Sequence, residues 1–285
     1  MKKTLFLLSL LVLLGLAFLQ MNNRTSNTFK LLTRSPEREV PILMYHKINP
    51  SWKSGGLGLR VSPKNFEQQL RYLKDHGYTS ITLAQLAEHY EKGTPLPRYP
   101  IVLTFDDGYL DNYKYAFPLL KKYQFTGTIF LVSNLVGKTN RWDEVLGRPS
   151  NPLMDWPQIK EMEKYGVEFG SHTMTHPHLG AIPLKRARKE IVQSKHDLEK
   201  KLGHPVSTFC YPYGSYNHRV TKIVSEAGFK AATVVELGRN TASTNPFQLK
   251  RIRVTGRHSL PEFSKNLVKP YAVRTQTNVK KMSNL

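Results

Sequence analysis

Short apolar runs alternate with amphipathic stretches along most of the chain, and several runs end on residues that can do chemistry. Val40-Pro41-Ile42-Leu43-Met44-Tyr45 leads into His46, and Tyr99-Pro100-Ile101-Val102-Leu103 leads through Thr104 and Phe105 into Asp106, Asp107 and Gly108. Val167-Glu168-Phe169-Gly170-Ser171 ends on His172, and Ser207–Tyr211 runs into Pro212-Tyr213-Gly214. Gly127–Val132 and Lys230–Val235 have the same character. Apolar runs this short, bounded by turn residues, read as buried strands. Between them lie helical patterns. One starts at Ser62-Pro63, carries Phe66, Leu70, Tyr72 and Leu73 on its apolar face, and closes at Gly77. Others span Thr82–Tyr90, Asp111–Tyr123, Pro157–Tyr165, Leu184–Leu202 and Asn217–Ala227, most of them stopped by a glycine. Strands alternating with helices mean parallel βα units. With six or seven strands, no Gly-x-Gly-x-x-Gly turn and no Walker loop, the pattern predicts an α/β fold of deformed or incomplete (β/α) barrel type.

The ends of the chain differ from this body. After Met1-Lys2-Lys3, residues Thr4 to Asn23 are uncharged and leucine-rich, long enough to cross a bilayer. Residues 1–23 read as a signal-anchor or signal peptide; a poor cleavage site at Ala17-Phe18-Leu19 favours the anchor. The preceding lysines place the body outside, on the outer face of the membrane or, if cleaved, secreted and wall-associated. Residues 24–38 form a polar linker, 39–268 the folded domain and 269–285 a basic tail. The net charge of +21 is high for a chain with 40% hydrophobic residues. From Lys250 to Leu285 nine basic residues face one acid, Glu262. This charge suits anionic wall polymer or lipid headgroups. Nucleic acid is excluded by the lack of any recognition motif and by export. The one cysteine, Cys210, permits no intramolecular disulfide, so the core must hold by burial.

Two adjacent carboxylates at a strand's C-terminal end stand where barrels place catalytic groups. His172 and His176, four residues apart, follow another such strand. Two imidazoles and a carboxylate form a common catalytic zinc set that leaves one position open. Thr104-Phe105-Asp106-Asp107-Gly108, then His172-Thr173-Met174-Thr175-His176, then Tyr211-Pro212-Tyr213-Gly214 resemble, in that order, the motifs of the polysaccharide deacetylase (NodB-homology, carbohydrate esterase family 4) domain over roughly Val40 to Val254.

The resemblance implies a deformed (β/α) barrel in which Asp107, His172 and His176 bind a divalent metal. Zn2+ is the expected ion, though Co2+ or Ni2+ suit the same donors. It implies Asp106 as general base and the backbone N–H of Tyr213 as an oxyanion donor. The late Leu-x-His motif that supplies the acid in many members has no good match. His46, at the end of the first strand, is similar to the acid of the branch acting on poly-β-1,6-N-acetylglucosamine, and is assigned that role. Where many relatives carry an arginine orienting the base, this chain has Cys210; Arg251 or Arg253 could take over, or both could be surface charge. Trp142 and Trp156 are candidate sugar platforms, Tyr109, Asp111 and Asn112 candidate cleft residues, and His178 lies two residues past the metal motif. The implied activity is hydrolysis of N-acetyl groups on an extracellular N-acetylglucosamine polymer. Peptidoglycan or chitin-oligomer deacetylation, O-acetyl ester hydrolysis, and polysaccharide binding without turnover are the alternatives.

Overall fold

The computed structural model describes residues 39–144, 147 and 149–267. The expected anchor (1–23), linker (24–38) and basic tail (269–285) lie outside the described residues. Among the described residues no helix is long and apolar enough to cross a membrane.

Among the described residues ten strands form in chain order: β1 (Ile42–Tyr45), β2 (Lys47–Ile48), β3 (Arg60–Val61), β4 (Thr79–Ile81), β5 (Pro100–Phe105), β6 (Thr128–Leu131), β7 (Glu168–Ser171), β8 (Thr208–Cys210), β9 (Ala231–Thr233) and β10 (Ile252–Arg253). Eight make one parallel sheet in the order β10-β1-β5-β6-β7-β8-β9, with β4 also paired to β5. β2 and β3 form a separate parallel pair. The sheet curls until its ends meet. Val234 N donates to Leu249 O and Arg251 N to Glu236 O, while β10, the continuation of that segment, pairs with β1. This is the deformed barrel expected from the sequence.

Register decides which side chains share the barrel mouth. Tyr45 stands opposite Phe105, so His46 and Asp106 leave adjacent strands side by side. Leu131 pairs with Ser171 and Ser171 with Phe209, which brings His172 and Cys210 to the same rim. Strands β1, β5 and β6 are buried throughout because helices cover their outer faces. The helices begin where their caps dictate. The side chains of Ser62, Thr82 and Asp155 accept from the amide three residues on, each worth about 1 kcal/mol. Phe66, Leu70, Phe105, Leu120, Ile159, Ile191 and Phe209 belong to one continuous core, each side chain contributing about 1.5–3 kcal/mol.

The structure adds elements the pattern did not announce. β4 is three residues with one buried side chain, too short to carry alternation. Gly56–Leu59 is a single helical turn inside the loop expected at Pro50–Gly58. Leu260–Leu267 is a helix packed onto the core through Phe263 and Leu267.

Candidate active site

Six residues singled out in the sequence — His46, Asp106, Asp107, His172, His176 and Tyr213 — line one cleft of about 290 Å3 at the C-terminal rim of the sheet. Asp107 and Tyr213 reach it through strained backbone. Asp107 has φ 76°, Thr173 69°, His176 65° and Tyr213 60°. Left-handed backbone costs a non-glycine residue about 1–3 kcal/mol and tends to mark functional sites. Among the described residues the only other non-glycine case is Gln124, which ends a helix. Gly108 has φ 73°, a backbone that strains any other residue, and a Cβ there would also press on Leu131 Cδ2 at 2.8 Å.

Asp107 Oδ1 lies 3.4 Å from His172 Nε2 and 3.2 Å from His176 Nε2. Two ligands at zinc distances of about 2.0–2.1 Å in tetrahedral array stand about 3.3 Å apart, so these separations match one ion held by all three. The tautomer of His172 fits as well. Its Nδ1 donates to the Cys210 carbonyl at 2.7 Å, so Nε2 is the nitrogen that faces Asp107 and the one that would meet a cation once its proton is shed. His176 is steadied by rings instead. Trp142 stacks on it at 4.2 Å, Tyr213 meets it edge-on at 4.5 Å, and His178 in turn lies flat on Tyr213 at 3.9 Å.

Electrostatics divides the two aspartates. Burial opposes the charge of Asp107, but hydrogen bonds from His172 and His176 hold its pKa well below the usual carboxylate range. Burial likewise opposes Asp106, and the Arg251 guanidinium beside it holds its pKa down. Arg251, wholly buried, donates from Nη1 to Asp106 Oδ1 at 2.7 Å and from Nη2 to Asp106 Oδ2 at 2.8 Å. Its Nε donates to Val234 O, and Nη2 also contacts Cys210 Sγ at 3.2 Å. Of the two arginines considered for orienting the base, Arg251 is the one that grips Asp106. Arg253 stays exposed, with its guanidinium on Gly58 O at the cleft wall. A second cluster of possible donors, Asp106, His172 and Cys210, is already committed: both Asp106 oxygens face Arg251, and the Nδ1 of His172 is engaged.

His46 Nε2 stands 3.8 Å from Asp106 Oδ2. Burial lowers the pKa of His46, and the attraction of Asp106 and Asp107 offsets this only in part. Asn112, in a π-helical turn after β5, fixes it from behind by donating to the His46 carbonyl at 3.1 Å. Tyr109 lines the cleft as expected. Asp111 does not; it is buried against Asn49, and burial pushes its pKa up to about 6. Trp142 forms part of the cleft wall, whereas Trp156 packs against the core outside it. A larger depression of about 460 Å3 at the N-terminal end of β9 is lined by apolar side chains, the hydroxyl residues Tyr90, Ser225 and Thr244, and an already paired Glu91 and Lys230, 3.0 Å apart.

A curled parallel barrel with a two-histidine, one-aspartate cluster beside a second, arginine-held aspartate defines the class of carbohydrate deacetylases. The polysaccharide deacetylase family model matches residues 93–232. Over 81% of this chain and 69% of its own, BA0330 from Bacillus anthracis has 31% identity and a TM-score of 0.69. The deacetylase PplD from Streptococcus pyogenes, solved with acetate, has 28% identity and a TM-score of 0.71 over 81% of this chain and 98% of its own. The poly-β-1,6-N-acetyl-D-glucosamine N-deacetylase of Staphylococcus aureus (strain MRSA252) is 28% identical over 68% of each chain. The chain belongs to the polysaccharide deacetylase family, the NodB-homology domain of carbohydrate esterase family 4.

Proposed function

We propose that this protein is a metal-dependent N-deacetylase of an extracellular N-acetylglucosamine polymer, poly-β-1,6-N-acetylglucosamine first among them. The observation that carries the reading is the cleft itself, in which a metal-sized triad, an arginine-held carboxylate and a histidine on β1 converge. The 28% identity to the Staphylococcus aureus enzyme supports the β-1,6 polymer.

Asp107, His172 and His176 would hold the cation, which supplies Lewis-acid chemistry, polarising the acetamide carbonyl and acidifying a water. Asp106 takes the proton from the attacking water. It can do so because Arg251 keeps it ionised and fixes both its oxygens in one plane. The backbone N–H of Tyr213, turned by its left-handed φ, is assigned to the developing oxyanion. His46, whose Nε2 stands 3.8 Å from Asp106 Oδ2, hands a proton to the leaving amine. A group whose pKa is held low is a strong acid once protonated, which suits that step. Turnover leaves a free amine on the sugar and releases acetate. The binding-only alternative drew on the missing arginine of the third motif; the grip of Arg251 on both Asp106 oxygens favours turnover instead.

The test is acetate release from poly-β-1,6-N-acetylglucosamine, peptidoglycan and chitin oligomers, compared side by side. Release from the β-1,6 polymer is expected. Release only from the others would reassign the substrate, and silence on all three with metal bound would overturn the enzymatic reading.

A further inference from the structure

The turn between the two histidines has one bond of its own, from His176 N to Thr173 Oγ1 at 3.0 Å, and is otherwise held from outside. Thr173 and His176 both sit at positive φ, and the amides of Met174 and Thr175 are directed at the Leu184–Leu202 helix. Both donate to the same atom, Glu190 Oε2, at 3.0 and 2.9 Å, while the Thr175 hydroxyl donates to Glu190 Oε1 at 2.6 Å. Glu190 lies in the Leu184–Leu202 helix and is 5% exposed. Among the described residues no lysine or arginine pairs with it. A carboxylate buried without a cation is costly unless its oxygens are fully used, and here the histidine turn uses both. One helical turn further on, on the same face, Ser194 Oγ meets Ser171 Oγ at 2.7 Å, just before His172.

We infer that Glu190 is a positioning residue for the metal ligands: from outside the cleft it pins the Thr173–His176 turn so that His172 and His176 keep their separation from Asp107 before any ion arrives. It touches neither metal nor substrate. The inference rests on the metal reading of the triad.

The test uses the full-length protein, stripped with a chelator and titrated with Zn2+ against a chromophoric competitor, with thermal unfolding measured in parallel. Glu190→Ala is expected to weaken zinc binding about 10–100-fold, the usual cost of removing an outer partner of a metal ligand. Glu190→Gln, whose amide oxygen can still take both backbone amides, should recover most of that loss. Thr175→Val, which removes only the hydroxyl contact, should weaken binding about 2–10-fold. Wild-type affinity in Glu190→Ala, with only a lower melting temperature, would overturn the inference by making the residue structural alone. If Glu190→Ala does not fold, unchanged affinity in Thr175→Val overturns it instead. A wild-type protein that takes up no zinc would fail differently, by removing the metal reading on which the inference rests.

Discussion

Arg251 and Asp106 show most clearly how a single pair sets the chemistry. Neither would be stable in its buried position alone, and breaking such a pair costs about 3–5 kcal/mol. Arg251→Ala should therefore lower unfolding stability by about that amount and also remove turnover. Arg251→Lys retains the charge but loses the two-pronged grip on both oxygens, so kcat should fall while the protein remains folded. Circular dichroism melts and acetate assays on the two variants separate the effects. Equal kcat in Arg251→Lys and wild type would show that orienting Asp106 is unimportant. Nothing in Leu249-Lys250-Arg251-Ile252-Arg253 distinguishes the two arginines. They lie two residues apart on an extended segment, and only the closure of the barrel buries one and exposes the other. Asp111 illustrates the opposite electrostatic case. Its folded pKa of about 6 lies above the unfolded value, so the folded state binds the extra proton and the protein loses stability as pH rises from about 4 to 6. Asp111→Asn should be more stable than wild type at pH 8, by on the order of 3 kcal/mol, and little changed at pH 4. A melting-temperature difference that does not depend on pH would contradict this.

At the scale of elements, the strands were legible because each is short, apolar and ends at a change of character. The barrel was legible because helices separate the strands. The site was legible for the same reason: His46, Asp106, Asp107, His172 and Tyr213 each follow an apolar run directly, and parallel strands deliver their C-terminal ends to one rim. What escaped had no periodic signal, or one confined to a helix cap. β4 pairs with β5 through backbone alone and exposes Thr79. The Leu260–Leu267 helix did carry a sign. Ser259 and Glu262 exchange hydrogen bonds in a capping box, with Pro261 in the first turn, at a place where a polar loop seemed to continue. Glu190 had none, since on a basic helix it looks like any other surface charge. His178 was marked only by its nearness to the metal motif, yet its ring lies flat on that of Tyr213. His178→Phe, which preserves that stack, should retain more activity than His178→Ala. The reverse order in kcat/KM would show that stacking on Tyr213 is not what His178 contributes.

For the molecule as a whole, the metal reading has a pH consequence that does not depend on substrate. Burial lowers the pKa of His172, but Cys210 and Asp107 outweigh burial and lift it well above the ordinary histidine value. In the metal-free protein that imidazole holds its proton more tightly than an ordinary histidine does. A metal ligand must be neutral, so binding expels the proton. Affinity for Zn2+ should rise from pH 6 to pH 8, and calorimetry in buffers of different ionisation enthalpy should record proton release; an affinity indifferent to pH would contradict this. The most direct measurement counts amines formed on poly-β-1,6-N-acetylglucosamine, alongside metal content per chain, for wild type and Asp106→Asn before and after chelation. The expected result is wild-type turnover that chelator abolishes and one equivalent of Zn2+ restores, with an Asp106→Asn protein that binds the same metal and turns over about 10²–10⁴ times more slowly. Turnover that survives removal of the metal, or that proceeds at the wild-type rate in Asp106→Asn, would contradict the account.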